Sequence, residues 1–381
     1  MISEPQERRQ HIDNIDNEIT RLFTQRMALV SEMALYKRQN NLPILDTARE
    51  REIIARVTQK QSAQIAGYTK VLFNTIFDLS RSYQSMELPL DDAIISEIGT
   101  SLSQTPPLFP ASAVVACQGL EGANSQLACE RLFARPNIMY FNSFEAVLAA
   151  VDQGLCQYGI LPIENSLQGS VNDVYDLMKK YKFYIARSVK INISHALLAP
   201  AGVKLANIRE ILSHEQALGQ CSEFLKNLKN IKITPVENTA MAAKTVAAWH
   251  RDDVAAISSK ACAELYGLEI LSEDIQNHAN NYTRFVCISK TMEIYAGANK
   301  ISLMFTIPHR PGSLYGLISC FSALGVNMTK LESRPIPGSD FEFMFYLDLQ
   351  ASVLSDEILN LICQLAKTPQ PFAFLGNYAE I

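Results

Sequence analysis

The sequence predicts a multidomain chain of three architectures in succession: an all-α segment of three helices over residues 1–90, an α/β domain over 111–290 and a small α+β domain over 299–381, with a linker at 91–110. Three observations predict this class. Gln6 to Arg38 contains no proline or glycine, and its apolar residues recur at helical spacing. From Ser112 onward, short apolar runs alternate with helical patterns, as strands joined by crossover helices do. The last stretch reads strand, helix, strand, strand, helix, strand, a ferredoxin-like order in about 80 residues.

Bulk composition agrees with a folded chain. The 381 residues are 48% hydrophobic and 19% charged, which a disordered chain is not. A net charge of −5 gives no support for nucleic-acid binding. No window reaches the ~18 apolar residues of a spanning helix. The acidic opening Met1-Ile2-Ser3-Glu4-Pro5-Gln6-Glu7 lacks the apolar core of a signal peptide. A cytoplasmic protein without nucleic-acid or membrane partners is expected. The eight cysteines are scattered without a C-x-x-C pair, and most lie in apolar runs, so reduced buried thiols are expected over disulfides. The six histidines show no paired ligand spacing, and neither a metal nor a cofactor is expected.

In the first helix Ile12, Ile19 and Met33 share one heptad position, and Ile15, Leu22, Leu29 and Tyr36 share another. Arg26 occupies the Ile12 seam. A guanidinium on an apolar stripe is costly unless an anion meets it or it snorkels at the helix edge. Arg26 and Lys37 are separated by about 16 Å along the axis and about 20° around it, so they could grip two ends of a small dianion. Arg9 shares the heptad position of Lys37 but lies roughly 42 Å away. It could join them only from an antiparallel second copy, so the geometry argues for a dimer if all three act together.

Pro43 ends this helix, and Asp46 is the N-cap of a second from Thr47 to about Lys60. A third runs from about Ala63 to Ser85, with Ser80 and Gln84 four apart on one face. Over essentially the whole segment, Arg9, Arg26, Lys37, Asp46, Arg49, Glu50, Ser80 and Gln84 fall at spacings that resemble the functional set of the all-helical chorismate mutases. That resemblance implies the one-step pericyclic conversion of chorismate to prephenate. Such a step needs a held reactive conformer and stabilisation of charge growing on the ether oxygen. It further implies Arg26 and a partner chain's Arg9 on the carboxylates, Lys37 and Gln84 at the ether oxygen and Glu50 on the ring hydroxyl. Asp46, Arg49 and Ser80 complete the implied binding set.

Glu87-Leu88-Pro89-Leu90-Asp91-Asp92 and the prolines at 106, 107 and 110 mark the linker, within which Ala93 to Leu102 has a short helical pattern. Ser112 to Cys117 reads as a strand. Gly119-Leu120-Glu121-Gly122-Ala123-Asn124-Ser125 turns into a helix from about Gln126, exposing N–H groups that suit a carboxylate, although most such turns only turn. Patterns then alternate through Tyr140, Phe144–Val151, Asp173–Lys179, Phe183–Val189, Ile193–Leu198, Ile208–His214, Ala217–Leu228, Ile231–Val236, Thr239–His250 and Val254–Ser258, which predicts a doubly wound sheet. The run from Tyr158 ends in Glu164-Asn165-Ser166, where a buried strand opens into a loop. Open α/β sheets place ligand groups at such ends; by periodicity alone it is equally a solvated loop capping the next helix.

Pro162-Ile163-Glu164-Asn165-Ser166-x-x-Gly169-x-Val171, with Asp176-Leu177 downstream, resembles the signature of prephenate dehydratases. Ser213 to Cys221, Asn238 to Ala243, Ala255 to Ser259 and Asn281-Tyr282-Thr283-Arg284-Phe285-Val286 match the same family, the last carrying its Thr-Arg-Phe motif. Asn124 departs from it, standing where an aromatic residue is usual. The resemblance implies two lobes like those of periplasmic binding proteins, a site in the cleft, and loss of water and carbon dioxide from prephenate to give phenylpyruvate. Aromatisation supplies the driving force, so the enzyme must help the hydroxyl leave and hold carboxylates. Thr283 is expected beside the leaving hydroxyl, positioning or relaying because a threonine hydroxyl is a poor acid. Glu164 is the candidate acid if burial raises its pKa. Asn165 and Ser166 are expected on the substrate; Arg284 either anchors a carboxylate or pairs internally; His214 is expected to be structural.

The last domain is expected as strands Ile301–Ile307, Asn327–Ser333, Phe341–Gln350 and Phe372–Tyr378 with helices Leu314–Leu324 and Asp356–Ala366. Arg310-Pro311-Gly312-Ser313-Leu314-Tyr315 offers N–H groups at a helix start, and Glu332-Ser333-Arg334-Pro335 ends the next strand. Alone these are a turn and a charged edge. They resemble an ACT domain of the dehydratase type, which implies that Gly312, Ser313, Leu314, Glu332, Ser333, Arg334 and Pro335 bind phenylalanine at a subunit interface. Three such resemblances in this order are those of bifunctional chorismate mutase–prephenate dehydratases, implying chorismate and prephenate as substrates, feedback inhibition by phenylalanine, and a homodimer or higher homo-oligomer. Two rivals are a catalytically silent two-lobed sensor and a monofunctional dehydratase with a helical dimerisation arm. The joint presence of both constellations speaks against the first, and Arg26 in the seam against the second.

Overall fold

The computed structural model describes residues 5–40, 42–86, 93–178, 180–309, 311–336, 342–367 and 370–381. Met1 to Glu4, Glu87 to Asp92 of the expected linker, Lys179, Arg310 and Phe341 lie outside the described residues. The chain opens with α1 (Pro5–Gln39), α2 (Thr47–Thr58) and α3 (Ala63–Met86), followed by α4 (Ala93–Gln104). Next come β1 (Val114–Gln118), α5 (Asn124–Leu132), β2 (Asn137–Phe141), α6 (Phe144–Asp152), β3 (Tyr158–Asn165), β4 (Gly169–Ser170), α7 (Asn172–Met178) and β5 (Tyr184–Asn192). A second group holds β6 (Ala196–Pro200), β7 (Glu210–Ser213), α8 (Glu215–Gln220), α9 (Ser222–Lys226), β8 (Lys232–Pro235), α10 (Thr239–Trp249), β9 (Val254–Ser258), α11 (Lys260–Tyr266) and β10 (Leu268–Ser272). The chain closes with β11 (Tyr282–Ser289), β12 (Lys300–Thr306), α12 (Ser313–Ala323), β13 (Asn327–Pro335), β14 (Phe343–Gln350), α13 (Asp356–Ala366) and β15 (Phe372–Glu380).

Two compact units result: residues 1–99 with 301–374, and residues 100–300 with 375–381. In the first unit α3 is the shared partner, packing against α1, α2, α12 and α13. Asp46 caps α2 as its sequence position demands, accepting from the Arg49 N–H at 2.9 Å. Antiparallel β13, β14 and β12 lie side by side with β13 at the edge, where burial alternates residue by residue. Helix α1 buries only Ala34, and its apolar stripe of Ile12, Ile15, Ile19, Leu22 and Leu29 is half or more exposed. No helix among the described residues is long and apolar enough to cross a membrane.

The second unit departs from a single doubly wound sheet. It has two sheets, ordered β15-β5-β11-β3-β1-β2 (with β4 on β3) and β10-β6-β9-β7-β8. Each keeps a parallel core, β2-β1-β3 in one and β9-β7-β8 in the other. Strand β11 runs antiparallel to both β3 and β5, and β6 antiparallel to β9 and β10. The chain leaves the first sheet after β5 and re-enters it at β11, so each half winds its own sheet and the returning strand runs against its neighbours. Ile193 donates to the Asn281 carbonyl at 2.7 Å, pairing the two crossovers. The expected helix Ala217–Leu228 breaks at Cys221 into α8 and α9. Val115, Cys117, Tyr158, Ile160, Val189, Phe285 and Cys287 form one face of the first sheet under α5. All eight cysteines are free, and seven are buried.

Candidate active sites

The helical segment brings Arg26 of α1 to α3 and leaves Lys37 at the start of the α1–α2 connection. Arg26 of α1 donates to Ser80 of α3 and sits 5.9 Å from the Phe77 ring centroid. Burial pulls its pKa below the usual guanidinium value. The Lys37 ammonium donates to the Ile44 carbonyl in the α1–α2 connection. Among the described residues, no carboxylate pairs with Arg9, Arg26 or Lys37, whereas exposed Arg49 pairs with Glu52 at 2.7 Å. Gln84 is 8% exposed and its Oε1 has no hydrogen-bond partner. Leaving a buried amide unsatisfied is costly, which marks a site built for a ligand group. Arg9 stays exposed at the far end of α1, apart from the rest. Glu50 is held by Arg81, a residue the sequence reading did not single out although it follows Ser80 directly.

In the second unit, the register of β3 and β11 decides the chemistry. Thr283 lies opposite Asn165, and Arg284 opposite Glu164. Successive strand residues project to opposite faces. Since Phe285 and Cys287 lie under α5, Thr283 and Asn165 share that face, while Arg284 and Glu164 share the other. Glu164, the candidate acid, therefore points away from the face that carries Thr283. Glu164 and the buried Arg284 pair internally at 3.7 Å, and Arg284 also lies 3.6 Å from Glu380 of β15. Strand β3 carries an extra residue, Ile163, between Pro162 and Glu164 where it pairs with β11, and this bulge sets Asn165 rather than Glu164 opposite Thr283.

Around Thr283 the hydrogen bonds have one consistent polarity. Asn165 Oδ1 accepts from the Leu167 and Gln168 N–H groups at 3.0 and 3.1 Å. Its Nδ2 must then donate, to Asn281 Oδ1 at 2.8 Å and Thr283 Oγ1 at 3.0 Å. Thr283 accepts from Asn165, so its own proton is not used in that bond. Asn281 Nδ2 donates to Gln220 Oε1 at 3.1 Å, which also faces His195 Nε2 at 2.8 Å. His195 must therefore carry its proton on Nε2, and burial holds its pKa below the ordinary value. Sequence reasoning missed Gln220 and His195, which come from the second lobe. Ser166, expected on substrate, accepts from the Tyr282 N–H at 2.9 Å and donates to the Asn280 carbonyl, pinning the loop.

The two lobes face each other across this corner. Gln216 at the start of α8 donates to Gln168, and the Tyr266 hydroxyl of α11 donates to the Glu121 carbonyl at 2.6 Å. A Cβ on Gly122 would come 2.7 Å from Cys262 Sγ, so glycine permits the close approach of the β1–α5 turn to α11. Helices α8, α10 and α11 begin at the carboxyl ends of second-lobe strands, where their N–H groups favour anions. His214 is structural, capping α8 through Nδ1. Asn124 is the first residue of α5. In the first unit, Gly312 takes a left-handed φ of 88° before α12 without a side-chain cap, and Ser313 Oγ is buried without a partner. Glu332 and Arg334 share the half-buried face of β13, while Ser333 and Pro335 are exposed.

A chorismate mutase type II family model matches residues 8–85, and a prephenate dehydratase model matches residues 115–293. The bifunctional chorismate mutase/prephenate dehydratase of Escherichia coli (strain K12) is 30% identical over 378 residues, 97% of this chain and 95% of that protein. The chain belongs to the bifunctional chorismate mutase/prephenate dehydratase family. It is an enzyme of phenylalanine biosynthesis that rearranges chorismate to prephenate, then dehydrates and decarboxylates prephenate to phenylpyruvate. The chloroplastic arogenate dehydratase/prephenate dehydratase 2 of Arabidopsis thaliana is 34% identical over 276 residues, covering 69% of this chain and 72% of its own. Among solved structures, the prephenate dehydratase from Arthrobacter aurescens in complex with L-Phe superposes with a TM-score of 0.64 at 27% identity, covering 70% of this chain and 90% of that chain.

Proposed function

We propose that the mutase works as a homodimer in which α1 of a second copy lies antiparallel along the exposed stripe and brings its Arg9 to Arg26 and Lys37. The carrying observation is that, among the described residues, no carboxylate pairs with Arg9, Arg26 or Lys37, together with the unsatisfied Gln84 Oε1. Arg26 and the second copy's Arg9 take the carboxylates of chorismate, and Lys37 and Gln84 donate to the ether oxygen as the bond breaks. Asp46, Arg49, Glu50 and Ser80 shape the pocket, with Glu50 on the ring hydroxyl.

In the dehydratase cleft, prephenate lies against Thr283, whose hydroxyl donates to the departing hydroxyl. The ring carboxylate leaves as carbon dioxide; its bonding electrons flow into the ring and expel the hydroxyl, which departs as water after gaining a proton. Thr283 positions this step, held by Asn165, while helix N-termini of the second lobe face the carboxylates. Phenylalanine binds at Gly312, Ser313 and Leu314 with Glu332, Ser333, Arg334 and Pro335, a reading supported by the uncapped start of α12 and by the L-Phe complex of the Arthrobacter aurescens enzyme. The enzyme works in the cytoplasm, a reading supported by its eight free cysteines. Feeding chorismate to pure protein and following prephenate and phenylpyruvate, with and without phenylalanine, tests the whole; no phenylalanine effect on either step would remove the effector site from it.

A further inference from the structure

One residue of the first unit, Arg81, belongs to neither the mutase set nor the effector turn. Arg81 of α3 donates both to Glu50 of α2 and to Asp78, one turn earlier on its own helix. The three side chains are between 23% and 29% exposed, so the arrangement is neither fully solvated nor sealed, and its strength depends on geometry. Asp78 also faces α12. A Cβ on Gly316 would come 2.5 Å from Asp78 Oδ2, so α12 lies nearer this carboxylate than a larger residue permits. Helix α12 packs along α3 beyond this point. Helix α12 begins directly after Gly312.

We infer that Arg81 is a positioning residue of the mutase, holding Glu50 toward the chorismate ring hydroxyl, and that helix α12 sets this grip through Asp78. The two carboxylates take different nitrogens of one planar guanidinium, Glu50 on Nη1 and Asp78 on Nη2. Moving α12 against Asp78 turns that plane, and so changes how Glu50 is presented to substrate. A ligand at the α12 start thereby reaches the mutase within one unit. The inference rests on the assignments of Glu50 to chorismate and of the α12 turn to phenylalanine.

The test uses the full chain, measuring mutase kcat and chorismate KM with and without phenylalanine, and dehydratase activity in parallel. Arg81→Gln should lower mutase kcat/KM about tenfold, chiefly through KM, the loss of one charge-assisted hydrogen bond. Arg81→Lys should recover part of it, and the dehydratase should be unchanged. Gly316→Ala and the isosteric Asp78→Asn should keep phenylalanine inhibition of the dehydratase, while the ratio of chorismate KM with and without phenylalanine falls to one. An unaltered chorismate KM in Arg81→Gln, or a wild-type KM ratio in both α12-contact variants, would overturn the inference. So would a wild-type mutase indifferent to phenylalanine beside a responsive dehydratase. Failure of the underlying readings looks different: Glu50→Gln with full mutase activity removes the first, and a wild-type enzyme in which neither activity responds removes the second.

Discussion

Asn165→Asp exchanges one nitrogen for one oxygen and should stop the dehydratase while the mutase runs on. The Leu167 and Gln168 N–H groups fix one oxygen of the side chain, at 3.0 and 3.1 Å. The second oxygen of an aspartate would therefore land where Nδ2 now sits, 2.8 Å from Asn281 Oδ1 and 3.0 Å from Thr283 Oγ1. It would take the Thr283 proton instead of supplying one, and the hydroxyl would no longer donate to the leaving group. One donor aimed at developing charge is worth on the order of 10²–10³ in kcat, ~2.7–4 kcal/mol. The lost bond to Asn281 should cost about 1 kcal/mol of stability besides. The assay is kcat for prephenate at saturation, with mutase turnover as the internal standard. Thr283→Ala should fall by a similar factor, and the double variant should be no slower than the slower single, because both remove the same donor. A kcat for Asn165→Asp within about threefold of wild type, under ~0.7 kcal/mol, would refute the reasoning, as would fully additive losses.

Lys37→Ala should cut mutase turnover by about 10²-fold or more, the loss of a donor at the ether oxygen, with prephenate turnover intact; equal loss of both activities would mean the sites are not separate. Ile19→Glu puts a charge into the stripe of α1, where Ile19 is 58% exposed; sedimentation should show monomers and mutase activity should vanish, and a persistent active dimer would contradict the proposed interface. Gly376→Ala should lower Tm, because Gly376 has φ 145° and a Cβ would lie 2.4 Å from the Ile185 carbonyl oxygen, a strain of about 1–3 kcal/mol; an unchanged Tm would contradict it. Burial pushes the Glu380 pKa up, but Lys190 and Lys300, with Arg284 behind them, outweigh it and pull it from 4.5 to about 2. A lowered folded pKa stabilises above the unfolded value and is lost as pH falls through the folded one. Glu380→Gln should therefore be less stable than wild type at neutral pH, with the gap closing from pH 4.5 toward 2; a gap independent of pH would contradict this.

Much of the fold was legible where local signals were strong. The Asp46 cap, the uninterrupted run of α1 and the apolar stretch Val254–Ser258 all fall where periodicity and capping put them. The split into two sheets was not, because alternation reports strands and helices but not strand direction, and β11 returns antiparallel. Strand β10 was missed: Glu269 and Ile270 are exposed at a sheet edge, so it lacks a clean apolar run. The site was legible as residue types at spacings, as with Arg26, Lys37, Ser80 and Thr283. Which of them meet depends on register, where one residue reverses the face; the extra residue Ile163 in β3 sets Asn165, and not Glu164, opposite Thr283. Arg81 and Gln220 gain meaning only from partners on other elements, Glu50 of α2 and Asn281 before β11.

The most direct single measurement is a time course of chorismate given to full-length Thr283→Ala. Two separate sites, with a hydroxyl donor in the second, predict chorismate consumed at the wild-type rate, prephenate accumulating and phenylpyruvate formation slowed by about 10²-fold or more. Phenylpyruvate at the wild-type rate, or chorismate left untouched, would contradict the account at its centre.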